Sequence, residues 1–267
     1  MTTGKEKAVV KSWRVGAAVL ALVAGGFLAS CDSGGGERAR PAGPAPGSAS
    51  VPGAGTGASA DAGGGAPSSP SPHAYEVSGA RALSVRNVNG TVRVTAGSGP
   101  VSVVETLEYG AVKPTTRHRV EDGTLELVGS GCGDSSPCRV DYTVTVPAAM
   151  PVTVRLDNGD VDVEGVTGPV DLTTRNGGVR GASLGAREAT LKSANGTVEA
   201  AFTAAPKEVD AGTGNGAVTV TVPAGRSYDV HATADVGMRE VSVPADPSSP
   251  HRITATTRTG VVTVRTG

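Results

Sequence analysis

From about residue 73 onward, small apolar residues alternate with polar ones, and the alternation is organised around a recurring dipeptide. Asn-Gly stands at Asn89-Gly90, Asn158-Gly159, Asn176-Gly177, Asn195-Gly196 and Asn215-Gly216, and Thr259-Gly260 takes the same place near the end. From 158 onward the spacings are 18, 19 and 20 residues, then 44, which holds two units of about 22. Six, four and two residues before the Asn stand Val152, Val154, Leu156; Val170, Leu172, Thr174; Ala189, Leu191, Ser193; and Val209, Ala211, Thr213. The outlying units repeat this with Leu83, Val85, Asn87 and with Ile253, Ala255, Thr257. Three residues after the Asn there is a valine each time: Val92, Val161, Val179, Val198, Val218 and Val262. A period of two on both sides of a turn places these residues on one face of strands.

The pattern predicts an all-β domain over 73–267, a β-solenoid-like stack of about 19-residue Asn-Gly repeats. The alternative is an antiparallel meander or sandwich in which each Asn-Gly is a type I′ hairpin turn. Stacked rungs are favoured because the inward residues are small and in register, whereas a sandwich of this size uses more aromatic bulk than the 3% present. A unit with Val230, Ala232, Ala234 and Gly237 reads as a degenerate copy with an irregular corner, since Val241 and Val243 arrive about two residues late. Residues 97–150 interrupt the repeat with longer strands and an Asp122-Gly123 hairpin signal. Four residues after the Asn, Asp162, Arg180, Glu199 and Thr219 predict an outward column of alternating charge.

The first 72 residues follow different rules. Lys5, Lys7, Lys11 and Arg14 precede an apolar run from Val15 to Phe27, too short for a stable bilayer span and laid out like a secretory signal. The run ends in Leu28-Ala29-Ser30-Cys31, which resembles a bacterial lipobox. That resemblance implies lipidation of Cys31, which becomes the new N-terminus, and so attachment to a membrane through its lipid. From Ser33 to Pro72, 34 of 40 residues are Gly, Ala, Pro or Ser, which cannot bury enough apolar surface to fold. The expected organisation is therefore a signal peptide at 1–30, a lipidated Cys and disordered tether at 31–72, and the β-repeat domain at 73–267. Asp32, after the acylated position, resembles the inner-membrane retention signal of enterobacterial lipoproteins, with the leaflet left open.

Charge and cysteines narrow the roles. With 24 basic and 25 acidic side chains, an electrostatic nucleic-acid binder is excluded. With Cys31 acylated, Cys132 and Cys138 form an even pair in an oxidising compartment, spaced for a small loop disulfide rather than for zinc.

The Asn-Gly-x-Val units, as in Asp157-Asn158-Gly159-Asp160-Val161-Asp162-Val163-Glu164-Gly165-Val166 followed by Gly168-Pro169-Val170, resemble the DUF4097 family, also labelled "putative adhesin", over roughly 75–267. The resemblance implies an envelope-facing β-repeat domain without an established catalytic site.

Motifs that suggest chemistry are few. Gly181-Ala182-Ser183-Leu184-Gly185 matches a nucleophile elbow, but another Asn-Gly unit follows where a helix must stand. Gly212-Thr213-Gly214-Asn215-Gly216-Ala217 fits a loose dinucleotide fingerprint, yet Val218 to Val222 continues as a strand. Asp157, Asp160, Asp162 and Glu164 are the densest acidic cluster. On a strand the last three share a face that could serve a glycosidase pair or Ca²⁺, against the plainer reading of a solvated outer face. His73, His118, His231 and His251 are scattered. The expectation is a non-enzymatic envelope lipoprotein for adhesion, scaffolding or sensing, with no catalytic residues, metal or cofactor. Its partners are the membrane, through the lipid on Cys31, and an envelope polysaccharide or envelope protein. The alternatives are a carbohydrate-active enzyme on a parallel β-helix, using Asp160 and Asp162, and an envelope-stress protein-interaction module.

Overall fold

A computed structural model describes residues 70–267; the expected signal peptide, Cys31 and the expected tether up to residue 69 lie outside the described residues. Among the described residues every regular element is a strand. The first seven are β1 (Ser71–Val77), β2 (Ala82–Asn89), β3 (Val92–Gly97), β4 (Val101–Tyr109), β5 (Thr116–Glu121), β6 (Thr124–Gly129) and β7 (Cys138–Pro147). The repeats supply β8 (Val152–Asn158), β9 (Val161–Glu164), β10 (Val170–Asn176), β11 (Val179–Leu184), β12 (Glu188–Asn195), β13 (Val198–Phe202), β14 (Glu208–Asn215) and β15 (Val218–Val222). Two long strands close the chain, β16 (Asp229–Ser242) and β17 (Arg252–Thr266).

Each unit is one rung: a strand ending at the Asn, a glycine corner, and a second strand starting two residues later. Successive rungs pair in parallel, so the first strands form one column and the second strands another. The meander is thereby excluded for the repeats. The corner glycines have φ from +129° to +150°, wider than a type I′ turn uses. Asp122 and Gly123, at φ 49° and 77°, do make a tight hairpin between antiparallel β5 and β6.

Val92, Val161, Val179, Val198, Val218 and Val262 stack in register and are all fully buried. Leu83, Val152, Val170, Ala189, Val209 and Ile253 form an equivalent line in the first column. The two columns meet in a single apolar core. Connecting segments stack as well: Gly185 N–H donates to Val166 O and Thr203 N–H to Leu184 O, with Val166 and Ala186 buried.

Spatial order departs from chain order at both ends. β2 and β3 lie between β6/β7 and β8/β9, so the inserted residues 97–150 build the outer N-terminal rung. There β5 adds antiparallel to β6, β4 to β7 and β1 to β4. The disulfide Cys132–Cys138 closes the loop where this rung passes from β6 to β7. At the other end β17 slots between β14/β15 and β16, leaving β16 outermost. The degenerate unit is this last rung, and its corner is not irregular: Val236 and Gly237 align with Thr259 and Gly260. Glycine sets the corner, and only the side chains depart from the template.

Candidate binding face

The corner is the most regular surface of the molecule. Asn158 Nδ2 donates to Asn89 Oδ1, Asn176 to Asn158, Asn195 to Asn176 and Asn215 to Asn195, each at 2.9 Å. An exposed amide ladder thus runs along five rungs and ends at the Thr259 position. Just inside it, Thr174, Ser193 and Thr213 donate to the carbonyls of Gly159, Gly177 and Gly196 at 2.9 Å, and Thr257 donates to Gly216 at 3.1 Å. Asn87 donates to Val140 O at 2.7 Å, whereas Leu156 occupies the same template position with an apolar chain. The positions two before the Asn therefore serve the backbone of the neighbouring rung as well as the core, a role their Thr and Ser identity signalled.

Outside the second column the charges alternate as the register requires. Thr143, Arg93, Asp162, Arg180, Glu199, Thr219 and Thr263 occupy successive rungs. Arg93 pairs with Asp162 at 3.6 Å and Arg180 with Glu199 at 3.8 Å. These residues, with Thr91, Asp160 and Thr197, line an open groove of about 400 Å³ across four rungs.

The first column carries a second set that the sequence reading missed. Arg155 donates to Asp171 at 2.8 Å, Lys192 pairs with Asp210, and Arg175 pairs with Asp157 at 3.2 Å. The first two pairs share a diagonal rule, a base three before one Asn with an acid five before the next. That signal was present in the aligned repeats.

The acidic cluster is brought onto this surface but not into a catalytic pair. Asp160 sits beside the corner and accepts the Gly178 N–H at 2.7 Å, as Asp141 accepts that of Thr91. Asp162 and Asp157 face arginines, and among the described residues no group of three His, Cys, Asp or Glu could hold a metal ion. Ser183 sits at φ 51° in a bulge of β11, with strand β12 following. Gly212 to Gly216 run from strand β14 into a corner, and the residues from Val218 are strand β15.

A second cavity, of about 560 Å³, opens at the N-terminal end among His73, Glu105, Leu107, Tyr109, Lys113 and Thr116. Glu105 faces inward from β4, is 7% exposed, and accepts the Thr116 hydroxyl at 2.7 Å. Tyr75 stacks on His118 at 4.5 Å, and burial, with the Glu105 charge second, pushes its phenol up to about 12. The same causes, with Tyr75 third, raise that of Tyr142. His73 also packs edge-on against Tyr75, at 5.5 Å, so His73 and His118 share that ring, whereas His231 faces Asp229 at 3.1 Å and His251 Nδ1 lies 2.7 Å from Pro206 O.

The family model described as Toastrack DUF4097 matches residues 81–266. Among solved structures, a "putative cell adhesion protein" from Clostridium sporogenes ATCC 15579 aligns at 14% identity over 74% of this chain and 100% of its own, with a TM-score of 0.46. A "putative adhesin" from Bacteroides fragilis NCTC 9343 aligns at 14% identity over 74% and 97%, with a TM-score of 0.37. A "putative lipid binding protein" from Parabacteroides distasonis ATCC 8503 aligns at 10% identity over 73% and 97%, with a TM-score of 0.29. No curated protein matches the chain.

Proposed function

Because this chain belongs to the Toastrack DUF4097 family, we propose that it is a membrane-anchored bacterial envelope lipoprotein whose β-solenoid is a non-enzymatic surface for adhesion, scaffolding or envelope sensing. The observation that carries this reading is the groove over four rungs, where Arg93, Asp162, Arg180 and Glu199 repeat on a rigid, parallel framework. Adjacent strands in a sheet lie about 4.8 Å apart, so the groove offers charges of alternating sign at fixed intervals. An extended, repeating envelope polysaccharide matches such a lattice better than a compact small molecule does. The amide ladder beside it adds aligned donors and acceptors.

Catalysis is not part of the proposal, because the carboxylates that might cut a glycan have structural duties. Asp160 holds a backbone N–H and Asp162 an arginine. The double variant Asp160→Ala, Asp162→Ala should have no glycan-cleaving activity to lose, and cleavage by the parent chain that disappears in this variant would reinstate the enzyme reading. The anchor rests on Leu28-Ala29-Ser30-Cys31. Cys31→Ala is expected to abolish incorporation of radiolabelled palmitate and release the protein from membranes, and labelling that persists would remove the anchor from the account.

A further inference from the structure

The two ends of the solenoid are finished differently. At the N-terminal end, antiparallel strands cover the outer parallel rung, whereas at the C-terminal end β16 pairs with no described strand but β17, and only Tyr228, the residue before β16, is bridged by Ala245, with its N–H donating to Pro244 O and its carbonyl accepting the Asp246 N–H. An outermost strand that ends a parallel stack presents backbone groups and the end of the core to any strand that fits. β16 also carries Val236, Met238 and Val241, which are 63%, 68% and 37% exposed. Such an end should stack with another copy.

The rung has the symmetry for it. Its inward positions are Val230, Ala232 and Ala234 before the corner, aligned with Ile253, Ala255 and Thr257. After the corner they are Arg239 and Val241, aligned with Val262 and Val264, and then the buried Val243. The two sets are placed symmetrically about the bond between Val236 and Gly237. A two-fold axis through that corner therefore lays one arm antiparallel on the opposite arm of a second copy, inward face continuing inward face. Val230 then meets the second copy's Val243, Ala232 its Val241, and Ala234 its Arg239. Outward, Thr233 meets Glu240 and Asp235 meets Met238, with no like charges opposed. One side chain spoils the match.

Arg239 stands where every regular rung has valine, in register with the fully buried Val262. Its Nη1 reaches across the corner and donates to the carbonyl of Ala232 on the other arm, at 3.4 Å. The side chain thus lies over the open end of the core. Stacking a second copy would bury two guanidinium groups among Val262, Ala234 and Val241, with no carboxylate on the inward face to receive them. We propose that Arg239 is an end stop that keeps the solenoid from stacking head to head on a second copy, over a β16 edge otherwise built to pair with itself.

The test is sedimentation velocity of the full-length chain in mild detergent, comparing wild type with Arg239→Val, Arg239→Ala and Arg239→Lys. Wild type and Arg239→Lys should sediment as monomers. Arg239→Val, which completes the valine column, should melt no lower than wild type and double in protein mass; Arg239→Ala should also dimerise, so the test does not depend on one variant folding. Adding Val241→Lys to Arg239→Val should restore the monomer, since it returns a charge to the same inward face. Folded Arg239→Val and Arg239→Ala that both remain monomeric would overturn the proposal. So would a wild-type dimer that Val241→Lys dissociates.

Discussion

A β-carbon at a corner glycine would clash with the carbonyl oxygen of the neighbouring rung: Gly159 faces Gly90 O, Gly177 faces Gly159 O, Gly196 faces Gly177 O, and Gly216 faces Gly196 O. The rungs approach that closely because each corner N–H donates across the gap, as Gly177 does to Asn195 O and Gly196 to Asn215 O. Gly196→Ala should therefore cost about 3 kcal/mol or more, from backbone strain plus a displaced rung. Gly225, at φ +80° with nothing near its missing β-carbon, supplies the control. Gly225→Ala should cost only about 1 kcal/mol for the left-handed backbone, and equal losses at the two sites would contradict the stacked corner. The amide ladder is worth less, because its groups are exposed. Asn176→Ala breaks two ladder bonds and Asn89→Ala one, so chemical denaturation should show losses near 1 and 0.5 kcal/mol. Tyr142, with Tyr75 and Tyr228, makes stability fall at alkaline pH. Its folded phenol binds its proton more tightly than an unfolded one, because ionisation there is opposed by burial and by Glu105. Stability from this group is complete below pH 10, the ordinary tyrosine value, and declines as pH rises above it. Tyr142→Phe should flatten the loss of stability from pH 10 upward, and an unchanged slope would show that Tyr142 does not carry it.

Elements were legible in the sequence to the extent that repetition makes each position testable several times. Asn-Gly followed by valine at the third position marked five corners and their inward columns, and Thr259-Gly260 was recognisable as a sixth through the shared spacing. The order of the rungs was not legible, because identical edges accept one another in any sequence. Nothing in Leu83-Val85-Asn87 says that the rung will bond to Val152-Val154-Leu156 across an insertion, yet Asn89 aligns with Asn158. The placement of β17 inside β16 is hidden for the same reason. Arg239 was obscured by reading the unit for its valines, which seemed late, when the corner was regular and one inward position had changed its chemistry. The candidate groove was half visible: Arg93, Asp162, Arg180 and Glu199 each stand four residues after an Asn, while the placing of Arg93 beside Asp162 follows only from the pairing of β3 with β9. The N-terminal cavity around Glu105 could not be read at all, since it depends on β4 and β1 turning antiparallel beyond β7. The disulfide belongs to that end. Reduction of Cys132–Cys138 should lower stability by about 2 kcal/mol, given the short loop it closes. Hydrogen exchange should place the effect at β6 and β7 and leave β12 to β15 as protected as before.

For the whole molecule, the parallel stack provides a regular polar surface. Its small inward side chains make each rung nearly interchangeable with the next, and that same regularity puts charges and amides at fixed intervals outside. Arg93, Asp162, Arg180 and Glu199 are exposed ion pairs, which contribute little to stability, about 0–1 kcal/mol each. Their changes can therefore be read as changes in binding. The most direct test is equilibrium binding of the full chain to purified peptidoglycan and envelope polysaccharides, with every glycan analysed for products. Saturable binding to one of them without cleavage is expected, weakened at least tenfold in folded Arg180→Glu. Cleavage of any glycan, or binding that ignores reversal of the Arg180 charge, would contradict the groove as a non-enzymatic binding face.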